Sequence, residues 1–342
     1  MHTELSYPHP ATPELGQVAT VAPGVHWLRM PLPFALDHIN LWLIDDAENQ
    51  VALVDTGFAS PQVQAAWREA LRLRLPSRLI VTHFHPDHFG LADWLMREWR
   101  LELWMSHSEF LTGHAVWHGV AGHSVEAMLS LFRANGLDEE RATALEARGN
   151  AYRRGAPRLP ERFHRLHDGD ELVIGGRTWR VITGCGHSPE HVALYCPSQK
   201  LLISGDMLLP KISTNVGVWA VSPEDDPLAD FLRSLGRFEA LPEDTLVLPS
   251  HGLPFVGLHA RIAQLRAHHE ERLAVLEAAL DAPKTAAEVI PTLFSRALDT
   301  HQVVFALGEA LAHLNHLVAL GRAERLRGPD GRQRFVRTGP TP

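Results

Sequence analysis

Apolar residues recur along the chain in two rhythms. Short β-type runs occupy residues 24–30, 38–44, 51–54 and 79–82, the first two separated by a turn-rich segment with Pro31 and Pro33. Helical spacing takes over at 61–73, where Val63, Ala66, Trp67 and Leu71 share a face, and again at 91–99, before a strand at 101–105. Between about 106 and 165 the alternation breaks into helical stretches, notably 124–135 and 138–148, which read as an inserted helical cap. Strands resume at 171–174 and 178–182, joined by a hairpin turn at Gly175 and Gly176, then at 191–196, 201–203 and 245–248. A helix at 228–241 precedes the last of these. The tail reads as helices at 259–280, 285–293 and 304–320, then a hairpin over 325–337 that turns at 328–331.

This order predicts an α/β (α+β) fold with two sheets packed face to face and helices outside. At 342 residues the chain exceeds one typical core. The expected division is a catalytic domain over 1–257, carrying the insertion, and a C-terminal domain over 258–342 whose three helices and hairpin have a winged-helix layout.

Composition narrows the function. With 45% hydrophobic and 21% charged residues the chain is globular. A net charge of −8 opposes non-specific nucleic-acid binding by the whole surface. Locally, Arg322, Arg325, Arg327, Arg332, Arg334 and Arg337 face only Glu324 and Asp330, a basic excess that phosphates attract. No basic start with an apolar stretch begins the chain, and no run of about 18 apolar residues occurs, so neither export nor membrane insertion is expected. Cys185 and Cys196 are too few for a disulfide framework, which fits a cytoplasmic protein. Cys185 reads as an inert small residue, and apolar Trp117, Leu131 and Phe132 in the insertion suggest a homodimer contact.

The chemistry concentrates in Thr82-His83-Phe84-His85-Pro86-Asp87-His88-Phe89-Gly90, directly after a strand. Imidazole and carboxylate suit zinc, iron or manganese, and four such groups exceed what one catalytic ion needs. The surplus points to two ions. Further donors follow later strands: His187, Asp206, whose carboxylate can bridge two ions, and His251. His191, four residues past His187, is a candidate hydrogen-bond donor to a developing oxyanion.

The run His83-Phe-His85-Pro-Asp87-His88, with Asp55 in Val54-Asp-Thr-Gly57 and then His187, Asp206 and His251, resembles the metallo-β-lactamase superfamily over roughly residues 20–257. Within it the set is similar to the dinuclear glyoxalase II and ribonuclease Z type. The resemblance implies a four-layer αββα sandwich with two divalent ions at the sheet edge. His83, His85 and His187 would hold the first ion; Asp87, His88 and His251 the second. Asp206 would bridge them, and Asp55 would orient a ligand histidine. Zinc is the expected metal, with iron and manganese as alternatives. The implied reaction is hydrolysis of a small ester, thioester or lactone by a hydroxide shared between the ions, with Asp87 and Asp206 setting its orientation. His268-His269-Glu-Glu-Arg272, Thr285-Ala-Ala-Glu and the winged-helix-like end resemble β-lactamase-like proteins that include an endoribonuclease. That likeness makes RNA or phosphodiester cleavage the alternative.

Overall fold

The structure, a computed structural model, describes residues 4–47, 49–295 and 297–339, so the first three residues of the polar lead and the last three of the tail lie outside it. The chain folds into two compact units, each discontinuous in sequence. The first holds residues 1–117, 151–214 and 234–262; the second holds 118–150, 215–233 and 263–342.

Two sheets build the first unit. One runs in the spatial order β1 (Val18–Ala22), β2 (Val25–Pro31), β3 (His38–Asp45), β4 (Gln50–Val54), β5 (Leu75–Ile80), β6 (Leu103–Ser106) and β7 (His164–Leu166). The other comprises β8 (Glu171–Ile174), β9 (Arg177–Gly184), β10 (His191–Cys196), β11 (Leu201–Gly205), β12 (Leu246–Pro249) and β13 (Phe255–Val256). Strand alternation sorts side chains between two cores. Trp42, Ile44, Ala52, Val54 and Ile80 pack with Trp179, Val181, Leu194 and Ile203 between the sheets. Their neighbours Leu41, Leu43, Val51, Leu53 and Leu79 point the other way, onto Val63 and Trp67 of the helix Pro61–Ala70 and Leu95 of the helix Ala92–Trp99. Strands filled on both faces read as continuous apolar runs, which is why they stand out in the sequence.

Parallel pairing occurs where a helix intervenes. β4 and β5 are joined through the helix Pro61–Ala70, and β11 and β12 through the helix Pro227–Glu239. Ser60 caps the first of these, accepting a hydrogen bond from the Val63 amide. The expected strand at 79–82 is β5, which begins at Leu75 and ends at Ile80. Its first half is disguised by polar Ser77 and Arg78, both of which hydrogen-bond Asp46. β1, β7 and the two-residue β13 have too little pattern to be anticipated.

In the second unit, the helices Val125–Ala134 and Glu139–Arg148 are capped by Ser124 and Asp138. The helix Ala286–Leu293 opens with a Thr285–Glu288 capping box and is followed by the helix Thr300–Ala319. β14 (Ala323–Arg327) and β15 (Gln333–Arg337) then form the hairpin, and Lys284 bridges to Phe335. Phe132 is buried in this unit and Leu131 partly covered, as is Trp117 in the first unit. These residues therefore do not form the exposed apolar patch that suggested a dimer. No helix among the described residues is long and apolar enough to cross a membrane.

Leu194 lies in the middle of β10, fully buried between the sheets. Leu194→Ala is expected to cost ~2–5 kcal/mol, read as a lower urea midpoint, because the cavity cannot collapse between two paired strands.

Candidate metal centre

Every predicted donor sits at the carboxyl end of a strand in the first unit, where side chains project beyond the ladder. Asp55 follows β4, residues 82–88 follow β5, His187 lies between β9 and β10, Asp206 follows β11, and His251 follows β12. After His85 the chain turns into a single helical turn, Pro86–Phe89, with Pro86 at its start. That turn brings His88 back beneath His83, with ring centroids 3.9 Å apart.

The donors converge as two groups. His83, His85, His187 and Asp206 can hold one cation, and Asp87, His88 and His251 a second. His83 Nε2 is 3.0 Å from His85 Nδ1 and 3.2 Å from His187 Nε2. Those separations are close to the edge of about 3.3 Å that a tetrahedron with metal–nitrogen bonds of about 2.0–2.1 Å requires. Asp206 divides its carboxylate between the groups. Oδ2 lies 3.4 Å from His187 Nε2, while Oδ1 lies 3.5 Å from both His88 Nε2 and His251 Nε2. Asp87 Oδ2 is 3.5 Å from His251 Nε2 and 3.7 Å from His88 Nε2. His88 Nε2 and Asp206 Oδ1 are buried with no hydrogen-bond partner among the described residues, which suits atoms that bind a cation.

Outer hydrogen bonds decide which nitrogen of three of the rings faces inward. Asp55, in the left-handed region at φ 64°, is almost wholly buried and accepts from the Thr82 amide at 2.8 Å, the Thr82 hydroxyl at 3.0 Å and His88 Nδ1 at 2.8 Å. Having donated its proton to Asp55, the Thr82 hydroxyl accepts from His83 Nδ1 at 3.0 Å. One carboxylate thereby turns Nε2 of His83, in one group, and Nε2 of His88, in the other, inward. His251 Nδ1 donates to the His38 carbonyl at 2.8 Å, freeing its Nε2 as well. Two residues of β3 hold the His251 loop. His38 Nε2 accepts from the Gly252 amide, and buried Asn40 donates to the carbonyls of Pro249 and Gly252.

Electrostatics separates the groups. Burial and mutual repulsion hold His83 and His85 well below the ordinary imidazole range, so they are neutral donors. Burial also disfavours charge on His88, but Asp55, Asp87 and Asp206 outweigh it and push the pKa up to about 10. Asp206 loses solvation on burial, yet His251 and His88 hold it well below the usual carboxylate range. A potential that favours positive charge so strongly also favours a divalent cation.

His191 is placed differently from a substrate-facing donor. It is fully buried, and its Nε2 accepts the Asp206 amide at 3.1 Å. Gly205 allows that approach: it sits at φ 53°, and a Cβ there would lie 2.3 Å from His191 Nε2. Glu109, in the helix His107–His118, is a residue that sequence reasoning missed. Its fully buried carboxylate accepts hydrogen bonds from the Phe84 amide, the Ser188 hydroxyl and the Glu190 amide. Burial pushes its pKa up to about 7 against the pull of those donors.

Comparison with known proteins follows this geometry. Residues 35–251 match the family model of the metallo-beta-lactamase superfamily, and residues 273–338 match that of the metallo-beta-lactamase-like C-terminal domain. The chain belongs to the metallo-beta-lactamase superfamily. A solved beta-lactamase domain protein from Burkholderia ambifaria is 46% identical, with a TM-score of 0.89 over 98% of both chains. The probable metallo-hydrolase YqjP of Bacillus subtilis is 25% identical over 301 residues, 85% of this chain and 91% of the relative. A hydroxyacylglutathione hydrolase of Chromohalobacter salexigens is 27% identical over 237 residues, 69% of each. As a superfamily member with these donor groups, the protein is a metal-dependent hydrolase.

Two outcomes test the site. Asp55→Asn places an amide against His88 Nδ1 and should weaken divalent-cation binding ~10–100-fold in chelator competition while the circular dichroism spectrum is retained. Stripping metal with a chelator should lower the melting temperature, since a cation at 100 times its dissociation constant adds about 2.7 kcal/mol to a fold that alone presents the site.

Proposed function

We propose that the protein is a dinuclear hydrolase of small acyl substrates, cleaving an ester, thioester or lactone. The observation that carries this reading is Asp206, with one oxygen toward each donor group. Two bound divalent ions would supply an acidified water and a Lewis acid for the acyl oxygen. Zinc is the ion we propose, on a donor set of imidazoles and carboxylates that also accommodates iron and manganese. In this reading His83, His85 and His187 hold one ion and Asp87, His88 and His251 the other. Asp206 would span the two positions, and Asp87 and Asp206 would orient the nucleophile that the ions supply. His191 acts through Asp206, anchoring its backbone. The residues of this reading all fall in the first unit, within 1–117, 151–214 and 234–262.

Similarity to hydroxyacylglutathione hydrolases supports a thioester. The alternative is ribonucleolytic cleavage assisted by the C-terminal arginines, and here charge pairing favours the acyl reading. Arg322 pairs with Glu277 and Glu270, Arg325 with Glu224, and Arg332 and Arg334 with Asp330. Arginines already answered by carboxylates release fewer counterions on meeting a phosphate backbone.

The expected result is zinc-dependent turnover of acyl thioesters or lactones that varies little with salt, abolished in Asp206→Ala together with a loss of bound metal. Full turnover by a metal-free Asp206→Ala protein, or cleavage of RNA in preference to every acyl compound and falling steeply with salt, overturns the proposal.

A further inference from the structure

Three of the four donors in the first group come from loops on different sheets. His83 and His85 follow β5, whereas His187 lies between β9 and β10. Their nitrogens must stay within about 0.5 Å of productive positions for a cation to be held well. Each loop is irregular backbone, and hydrogen bonds within a sheet cannot set its distance from a loop of the other sheet. One main-chain bond crosses between them near the base, from the Val192 amide to the Thr82 carbonyl at 2.8 Å. Beyond that point, toward the donors, the crossing is made by a side chain.

That side chain is Glu109. Its Oε2 accepts from the Phe84 amide at 3.0 Å, and Phe84 is the residue between His83 and His85. Its Oε1 accepts from the Ser188 hydroxyl and the Glu190 amide, both at 2.6 Å, just past His187. The same short segment grips the second loop again: the Ser106 hydroxyl donates to the Glu190 carbonyl and the Ser108 amide donates to the Glu190 carboxylate. On the other side of Phe84, the Tyr152 hydroxyl donates to its carbonyl. Both polar groups of the Phe84 peptide are thus held by residues outside the donor set. Three donors converging on a carboxylate with no solvent exposure are more than core packing requires, since an apolar side chain would fill the space without the desolvation penalty.

We infer that Glu109 is a positioning residue, a carboxylate clamp that sets the distance between the His83–His85 pair and His187 and so preforms the first cation site. This inference rests on the metal-dependent reading of the centre but not on the identity of the substrate. Glu109 belongs to neither donor group; it acts through the Phe84 and Glu190 amides and the Ser188 hydroxyl of the two loops.

Glu109→Gln tests it, because the amide keeps the shape and can accept at only one of its two ends. Either Phe84 or the Ser188–Glu190 pair then faces an NH2 group, and the clamp opens on one side. Zinc titration of chelator-stripped protein against a chromophoric chelator is expected to show tightest-site affinity reduced ~10–100-fold. The stripped variant should keep the wild-type circular dichroism spectrum and a melting temperature within a few degrees, and kcat for any hydrolysed acyl compound should fall while KM holds. Unchanged zinc affinity overturns the inference, with or without a loss of stability, and leaves Glu109 a structural residue. Should Glu109→Gln fail to fold, Ser188→Ala decides the matter by removing one of the three donors. Several-fold weaker zinc binding then supports the clamp, and wild-type affinity overturns it. If wild-type protein binds no divalent cation at all, the underlying reading fails instead, a result distinct from loss confined to the variant.

Discussion

The structure depends on holding imidazole nitrogens and carboxylate oxygens toward one another. Five imidazoles and two carboxylates share a volume with almost no solvent, and left to themselves such groups turn outward to find hydrogen-bond donors or water. Outward rotation is blocked because the far side of the rings is already engaged: His88 and His83 through Asp55 and Thr82, and His251 through the His38 carbonyl. Those outer partners lie on or beside β3, β4 and β5, so the rigidity of the sheet is passed to the donor atoms.

The two-sheet architecture serves the same end. Trp42, Trp179, Leu194 and Ile203 lock the sheets face to face, and the locked edges present loops from both. Where a distance between loops must be kept, the molecule adds a polar tie to the apolar contact. Asn40 ties β3 to the His251 loop, and Glu109 ties the loop after β5 to the loop before β10. A hydrophobic contact sets proximity; a hydrogen-bonded carboxylate or amide also sets direction.

The sequence made the donors legible because cation binding demands rare side chains in a tight order. His83, His85, Asp87 and His88 crowd into one loop, and His187, Asp206 and His251 each stand beside a glycine at a strand end. Asp55, in Val54-Asp-Thr-Gly57, is legible through the family resemblance alone. The ties were not. Glu109 is one acid among ordinary helical neighbours, Asn40 is one amide within an apolar strand, and nothing local distinguishes either from a solvated residue. Their meaning lies in what they reach after folding, 81 residues onward for Glu109 to Glu190 and 209 for Asn40 to Pro249. The first half of β5 was hidden by a related effect, since Ser77 and Arg78 read as loop until Asp46 is seen to accept from both.

Gly205 and His191 occupy what would be a single space, the ring filling the place of the missing methyl. A side chain at 205 has no room while the imidazole is present, and a smaller residue at 191 would remove the acceptor of the Asp206 amide. Neither position can therefore drift alone. Any lineage that altered one would have to pass through a protein with a crowded or an unsupported Asp206 loop, so the pair is expected to be inherited as a unit.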